Sequence, residues 1–148
     1  MTDDASALQW EVARHFFSLL PHGRRLGIEL DQVGASSLST RLAYRDELVG
    51  NPGTGVIHGG VITTAIDQTS GAAAIIAIDP PEAVATLDLR IDHLRTAQPG
   101  RTLHCEAICY KVTRSVAFVR CVAHDGDDDN PVAVSMSSFM RLGQAISA

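Results

Sequence analysis

The sequence lacks the features that mark several classes of protein. Its longest apolar stretch, from Gly71 to Ile78, is far too short to span a bilayer. No basic cluster offsets the formal net charge of −5, which argues against a nucleic-acid partner. Asp3 and Asp4 stand where a secretory signal would carry basic residues. We therefore expect a cytoplasmic protein that binds neither nucleic acid nor membrane.

Cysteine is scarce, and its pattern argues against a disulfide framework. Cys105, Cys109 and Cys121 are an odd number of thiols without metal-ligand spacing. Reduced thiols of this kind are typical of the cytosol. We expect no metal and no other cofactor, with zinc bound by Cys105, Cys109 and a histidine as the alternative.

The composition and length predict one globular domain that spans residues 1–148. Apolar residues make up 45% of the chain and charged residues 20%, as is ordinary for globular proteins. Helical periodicity covers residues 6–20, with Ser6 as N-cap and Pro21 after the end, so residues 1–22 are assigned to an N-terminal helix and 24–142 to the core. Alternation predicts strands at 24–33, 36–44, 86–94, 103–112, 116–123 and 132–142, with a loop at 45–57.

The main helix candidate covers residues 58–78 and is apolar on nearly every face. A helix of this kind is buried. One long helix wrapped by a curved antiparallel sheet of five or six strands is the economical way to bury it. The predicted fold class is therefore α+β.

The start of this helix predicts an oxyanion site. The run His58-Gly59-Gly60 lets a substrate oxygen approach free backbone N–H groups, and the helix dipole adds partial positive charge there. Asp67, a single acid in an apolar segment, is the candidate base. The structural alternatives are a hydrogen-bonded helix acid at Asp67 and a simple turn at the two glycines.

The spacing of these groups predicts a site shared by two subunits. Gly60 and Asp67 are seven residues apart, about 10 Å along a helix. A reacting carbonyl must lie about 3 Å from both groups, which one subunit cannot provide. Two antiparallel copies of the helix, related by a two-fold axis near Thr63 or Thr64, place Asp67 of one subunit opposite Gly60 of the other. We therefore expect a homodimer as the minimal active unit.

Other polar residues are weaker candidates. His58 orients the loop or caps the helix, and Asn51 polarises a carbonyl, holds a water or forms a turn before proline. Gly59 and Thr64 are expected beside the substrate. The remaining candidates for substrate contacts lie near strand ends and turns, where they meet phosphates or are solvated surface charges: Arg95, Lys111 and Arg114.

Over roughly residues 24–142, the sequence resembles the hotdog-fold acyl-CoA thioesterases, within them the PaaI-like and thioesterase-superfamily-member-2 group. The resemblance rests on Asn51, His58-Gly59-Gly60, Asp67 and the segment from Thr86 to Gly100. It implies a long central helix wrapped by an antiparallel sheet, dimers joined edge to edge and pairing of dimers into tetramers. It also implies roles for four residues: Asp67 as general base or nucleophile, the Gly60 N–H as oxyanion donor, Asn51 orienting the water or carbonyl, and Thr86 assisting from the partner subunit.

Together with this resemblance, these patterns predict an acyl-CoA thioesterase that needs no cofactor, and the resemblance implies a homotetramer. Thioester hydrolysis requires a nucleophile and stabilisation of one oxyanion. The alternatives are a hotdog hydratase or dehydratase, which needs a histidine and an acid placed for proton abstraction, and a non-catalytic acyl-CoA binding module.

Overall fold

The computed structural model describes residues 2–146. The helices are α1 (Thr2–Ser18), α2 (Pro21–Leu26) and α3 (Gly59–Ala77), with a short 3-10 turn at Asp46–Leu48. The strands are β1 (Ile28–Val33), β2 (Ser37–Leu42), β3 (Val49–Asn51), β4 (Val56–Ile57), β5 (Glu82–His93), β6 (Leu103–Val112), β7 (Val116–His124) and β8 (Ala133–Ala145). Within residues 2–146, no helix is long and apolar enough to cross a membrane.

Six strands form one antiparallel sheet in the order β1-β2-β6-β7-β8-β5. Helix α3 packs across its inner face and contacts β2, β5, β6, β7 and β8. Strands β3 and β4 form a separate small hairpin just before α3. The predicted α+β fold, one long helix wrapped by an antiparallel sheet, is confirmed. Strand β5 ends the sheet order, so one of its sides has no neighbouring strand among residues 2–146.

The two halves of α3 differ in burial. Every residue from Gln68 to Ile76 is buried, because the sheet and the N-terminal helices enclose this half. The first half exposes Gly59 and Gly60, and it leaves Thr63, Thr64 and Asp67 half-buried. The predicted burial of the helix therefore holds for the second half, whereas the first half presents a polar stripe.

The N-terminal region departs from the prediction. Helix α1 begins at Thr2, so Ser6 lies within it and not at its N-cap. Pro21 opens the second helix, α2, where the missing proline N–H costs no hydrogen bond. Gly27, with a φ of 84°, closes α2 in the left-handed conformation. The strand predicted at 24–33 consequently begins only at Ile28.

The remaining boundaries are close to those predicted. Strand β6 has the predicted limits, and β7 is one residue longer than expected. Strand β5 begins at Glu82 and β8 extends to Ala145 because these two strands pair along their whole length. The predicted loop at 45–57 contains the 3-10 turn and the β3–β4 hairpin.

Candidate active site

His58 caps the start of α3. Its Nδ1 accepts a hydrogen bond from the Gly60 N–H at 2.8 Å. A Cβ added at Gly60 would lie 2.8 Å from the same nitrogen, so a glycine is needed for this close contact. Of the two roles considered for His58, the structure shows helix capping. The Gly60 N–H, expected to be free for an oxyanion, is already engaged.

The free N–H at the helix start belongs to Gly59. Among residues 2–146, no acceptor is found for this group, the first N–H of α3. Gly59 is exposed and lies beside His93, whose Cε1 would be 3.9 Å from a Cβ at position 59. Both residues line a groove of about 340 Å³ with Ile62 and Leu94. An anion placed here would meet an unpaired donor and the positive end of the helix dipole.

Asp67 is held by a hydrogen bond from the edge strand. Thr86 Oγ1 on β5 donates to Asp67 Oδ1 at 3.0 Å within the same chain. Asp67 is half-buried, and no arginine or lysine of the described chain forms an ion pair with it. This hydrogen bond orients one carboxylate oxygen, and the carboxylate can still accept a hydrogen bond from another donor. The resemblance implied that Thr86 assists from the partner subunit, whereas here Thr86 and Asp67 are brought together within one chain.

Asp67 borders a cavity of about 270 Å³. Thr64, Asp67 and Thr86 line it on one side. Its other walls are mostly apolar and come from α1, α2, the residue before α2, β5 and β8: Phe16, Pro21, Leu20, Val84 and Phe139. A carboxylate beside an apolar cavity suits a reaction on a carbonyl attached to a hydrocarbon group.

Asn51 and Thr64 each make a local hydrogen bond. Asn51 Oδ1 accepts from the Gly53 N–H at 3.0 Å, which is the turn role considered for this residue. Its side-chain NH2 remains available to donate, since no acceptor for it is found among the described residues. Thr64 Oγ1 donates to the Gly60 carbonyl at 3.0 Å, within the first turns of α3.

Arg95, a candidate for phosphate contacts, makes structural hydrogen bonds and also lines the groove beside Gly59. Its guanidinium donates to both carboxylate oxygens of Asp125, at 2.9 and 2.7 Å, and to the carbonyls of Thr96 and Asn130. The Gln98 N–H donates to the same carboxylate at 2.8 Å. The guanidinium beside Asp125 holds the pKa of this buried carboxyl well below its usual value. Arg95 therefore ties the 95–98 turn to the loop after β7.

Lys111 and Arg114 lie outside both cavities. They are exposed near the turn between β6 and β7, and neither has a salt bridge within the described chain. The alternative zinc site is also disfavoured, because Cys105 and Cys109 are four residues apart on β6, about 13 Å along the strand.

Three features of the site were not predicted from the sequence. The cavity wall formed by α1 and α2 depends on tertiary packing, which no local pattern reveals. His93 lies beside Gly59 because β5 runs along α3. Gln68 also lines the Asp67 cavity, and its signal was present: it is a second polar residue next to the single acid of the helix.

Comparison with known proteins shows the family of the chain. Residues 54–132, just over half of the chain, match the family model of the thioesterase superfamily. The chain belongs to the thioesterase superfamily. The matched segment contains the Gly-rich helix start, Asp67 and Thr86. Membership confirms the predicted family and hotdog fold, and it supports thioester hydrolysis as the activity.

Relatives of this thioesterase-superfamily chain align over nearly their whole length. It is 34% identical to a candidate esterase of Halobacterium salinarum, over 93% of this chain and 92% of that one. It is 25% identical to the medium/long-chain acyl-CoA thioesterase YigI of Salmonella typhimurium, over 87% and 90%. The Escherichia coli PaaI protein from the phenylacetic acid degradation operon has the same fold, with a TM-score of 0.85, 18% identity and coverage of 96% and 99%.

Proposed function

We propose that this protein hydrolyses acyl-CoA thioesters to a free acid and CoA. The observation that carries the proposal is the Asp67 carboxylate, oriented by Thr86 at a largely apolar cavity in a thioesterase-superfamily chain. The relative named as a medium/long-chain acyl-CoA thioesterase supports CoA as the carrier. The hydrocarbon part of the acyl group occupies the cavity between α3, β5 and the N-terminal helices.

The complete site forms between two subunits. Two residue pairs of the site join strand β5 to helix α3. Thr86 lies beside Asp67, and His93 lies beside Gly59 at the start of the helix. Residue 63 of α3 is midway between Gly59 and Asp67, and the Leu89–Arg90 bond of β5 is midway between Thr86 and His93. One two-fold axis through both midpoints places each Asp67 opposite the partner's glycine. Strand β5 is a sheet edge with an unpaired side, which supports pairing of the two sheets there.

The chemistry follows from these positions. Asp67 accepts a proton from a water molecule whose oxygen attacks the thioester carbon, or its carboxylate attacks that carbon directly. The Gly59 N–H of the facing subunit and the dipole of α3 stabilise the oxyanion. Collapse of the tetrahedral intermediate breaks the C–S bond, and the CoA thiolate leaves. On the first route the thiolate receives the proton held by Asp67. On the second route a water hydrolyses the acyl-aspartyl anhydride, which releases the acid, restores the carboxylate and supplies the proton of the thiol. Thr86 keeps the carboxylate aimed at the cavity.

This proposal moves the oxyanion donor from Gly60 to Gly59. The Gly60 N–H becomes available only when the His58 ring turns away from it. The Gly59 N–H needs no such rearrangement. His58 thereby assists by holding the helix start, and the Asn51 side chain has an amide NH2 with which to orient the water or the carbonyl.

We further propose a cytosolic homotetramer. The outer face of the sheet carries exposed apolar side chains that a second dimer covers: Ile108, Tyr110, Met136, Met140 and Leu142. Lys111 and Arg114, which are exposed and free of salt bridges in the described chain, are the basic residues proposed for the CoA phosphates. The three buried, unpaired cysteines support a reducing compartment.

The direct test is thiol release from short, medium, long and phenylacetyl acyl-CoA thioesters. Hydrolysis by the wild type that collapses in Asp67→Asn supports the proposal. A folded, dimeric wild type that releases no thiol from any ester contradicts it and favours the binding module.

A further inference from the structure

Gln68 is a polar residue of the Asp67 cavity to which the proposed chemistry gives no role. The residue is 9% exposed and lines the cavity. Among residues 2–146, no hydrogen-bond partner is found for its amide, although the neighbouring Asp67 and Thr64 each have one. The amide atoms are not sealed from solvent, so a water or a ligand in the cavity can supply their hydrogen bonds.

Helix α2 packs against the Gln68 amide. A Cβ at Gly23 would lie 2.0 Å from Gln68 Oε1 and 2.7 Å from Nε2, so a side chain at position 23 would displace the amide from its present place. Consecutive residues on a helix point about 100° apart. Asp67 therefore faces β5 through Thr86, whereas Gln68 faces α2, and both residues line the cavity.

Few other polar groups of the cavity are free to hydrogen-bond to a ligand. Thr64 already donates to the Gly60 carbonyl, and His22 lies exposed where α2 begins. The remaining walls away from Asp67 and Thr86 are mainly apolar, with Phe16, Leu20 and Phe139 the largest side chains. A plain hydrocarbon chain would fill this space and leave the Gln68 amide without a partner. An acyl chain with an oxygen on the α2 side would provide one.

We propose that Gln68 selects acyl groups carrying an uncharged hydrogen-bonding oxygen, a hydroxyl or keto group, over plain alkanoyl groups of the same length. This inference rests on the proposed function, because it takes the Asp67 cavity as the acyl site. A charged carboxylate on the acyl chain is disfavoured, since no lysine or arginine lines the cavity and Asp67 would repel it. Neutral amide groups discriminate by leaving a buried partner unpaired when the wrong ligand binds.

The test is a binding measurement that needs no turnover. Octanoyl-CoA and 3-hydroxyoctanoyl-CoA are titrated by calorimetry into Asp67→Asn, into Asp67→Asn with Gln68→Met, and into Asp67→Asn with Gln144→Met. Gln144 is exposed near the end of β8 and provides the matched control. We expect the hydroxylated ligand to bind about three- to tenfold more tightly to the first and third proteins, and the ratio to fall to about one with Gln68→Met.

Equal affinities in the first protein, or a preference that survives Gln68→Met, would overturn the role of Gln68 without affecting the proposed hydrolysis. Failure of both ligands to bind would contradict the acyl site itself and the selection with it. The ratio of kcat/KM for the two esters in the wild type gives a second readout that needs no substitution. A ratio of one or less there also contradicts the inference.

Discussion

Asp67 and Asp125 are two carboxylates withdrawn from solvent, and their surroundings are opposite. Asp125 is 4% exposed and accepts two hydrogen bonds from Arg95 and one from the Gln98 N–H. Asp67 accepts one side-chain hydrogen bond, from Thr86, and borders a cavity. Asp125, with three hydrogen bonds, holds two loops together, whereas Asp67, with one, can still accept a hydrogen bond from a further donor. Unused hydrogen-bonding capacity next to a cavity therefore distinguishes Asp67 as the candidate catalytic carboxylate.

The largest effect on activity should come from Asp67→Asn. We expect kcat to fall by about 10³-fold, because an amide cannot accept the proton or attack the thioester. The melting temperature should stay near that of the wild type, since asparagine can still accept the Thr86 hydrogen bond. Thiol release and circular dichroism measure the two quantities. Activity retained within a few-fold would remove Asp67 from the chemistry.

Gly59→Pro tests the other half of the site. Proline lacks the N–H and is tolerated at the first position of a helix, and His58 has the extended backbone that a following proline requires. We expect kcat to fall by about 10²- to 10³-fold with α3 intact. Gly59→Ala keeps the N–H and has room for its Cβ, so it is the matched control. Equal activities of the two variants would argue for another oxyanion donor.

Thr86→Ala tests how much the single side-chain hydrogen bond to Asp67 contributes to activity. Removing the one side-chain hydrogen bond to Asp67 should lower kcat by about tenfold, because the carboxylate loses its orientation but not its charge. Thr86→Ser keeps a hydroxyl and should restore most of the rate. A drop that serine does not rescue would indicate that the threonine methyl group matters instead.

Asp125→Asn should have the smallest effect on activity per folded molecule and a clear effect on stability. We expect the melting temperature at pH 7 to fall by about 5 °C or more. Because the pKa of Asp125 is lowered by folding, its contribution is fully present above the ordinary aspartate value of about 3.9 and is lost as the pH falls toward the lower folded-state pKa. The gap in melting temperature between wild type and variant should therefore narrow in acid. A gap independent of pH would contradict the assigned cause.

The sequence predicted those parts of the molecule that local patterns encode. Alternation and the apolar run predicted α3 and the main strands, and the single acid in that run predicted Asp67. Pro21 was ambiguous, because proline both follows helices and begins them, so α2 was missed. The Arg95–Asp125 pair joins residues thirty positions apart, and the His58 cap on Gly60 depends on a ring orientation. Neither has a periodic signature.

Subunit complementation tests the central claim, that Asp67 acts with Gly59 of the other subunit. Asp67→Asn and Gly59→Pro proteins, each nearly inactive alone, are mixed in equal amounts, unfolded and refolded together. In a mixed dimer, one of the two sites combines an intact Asp67 with an intact Gly59 from the partner. Random pairing should restore about a quarter of wild-type activity. Mixed dimers that form, as shown by native mass spectrometry, but stay inactive would place both groups in one subunit and contradict the proposal.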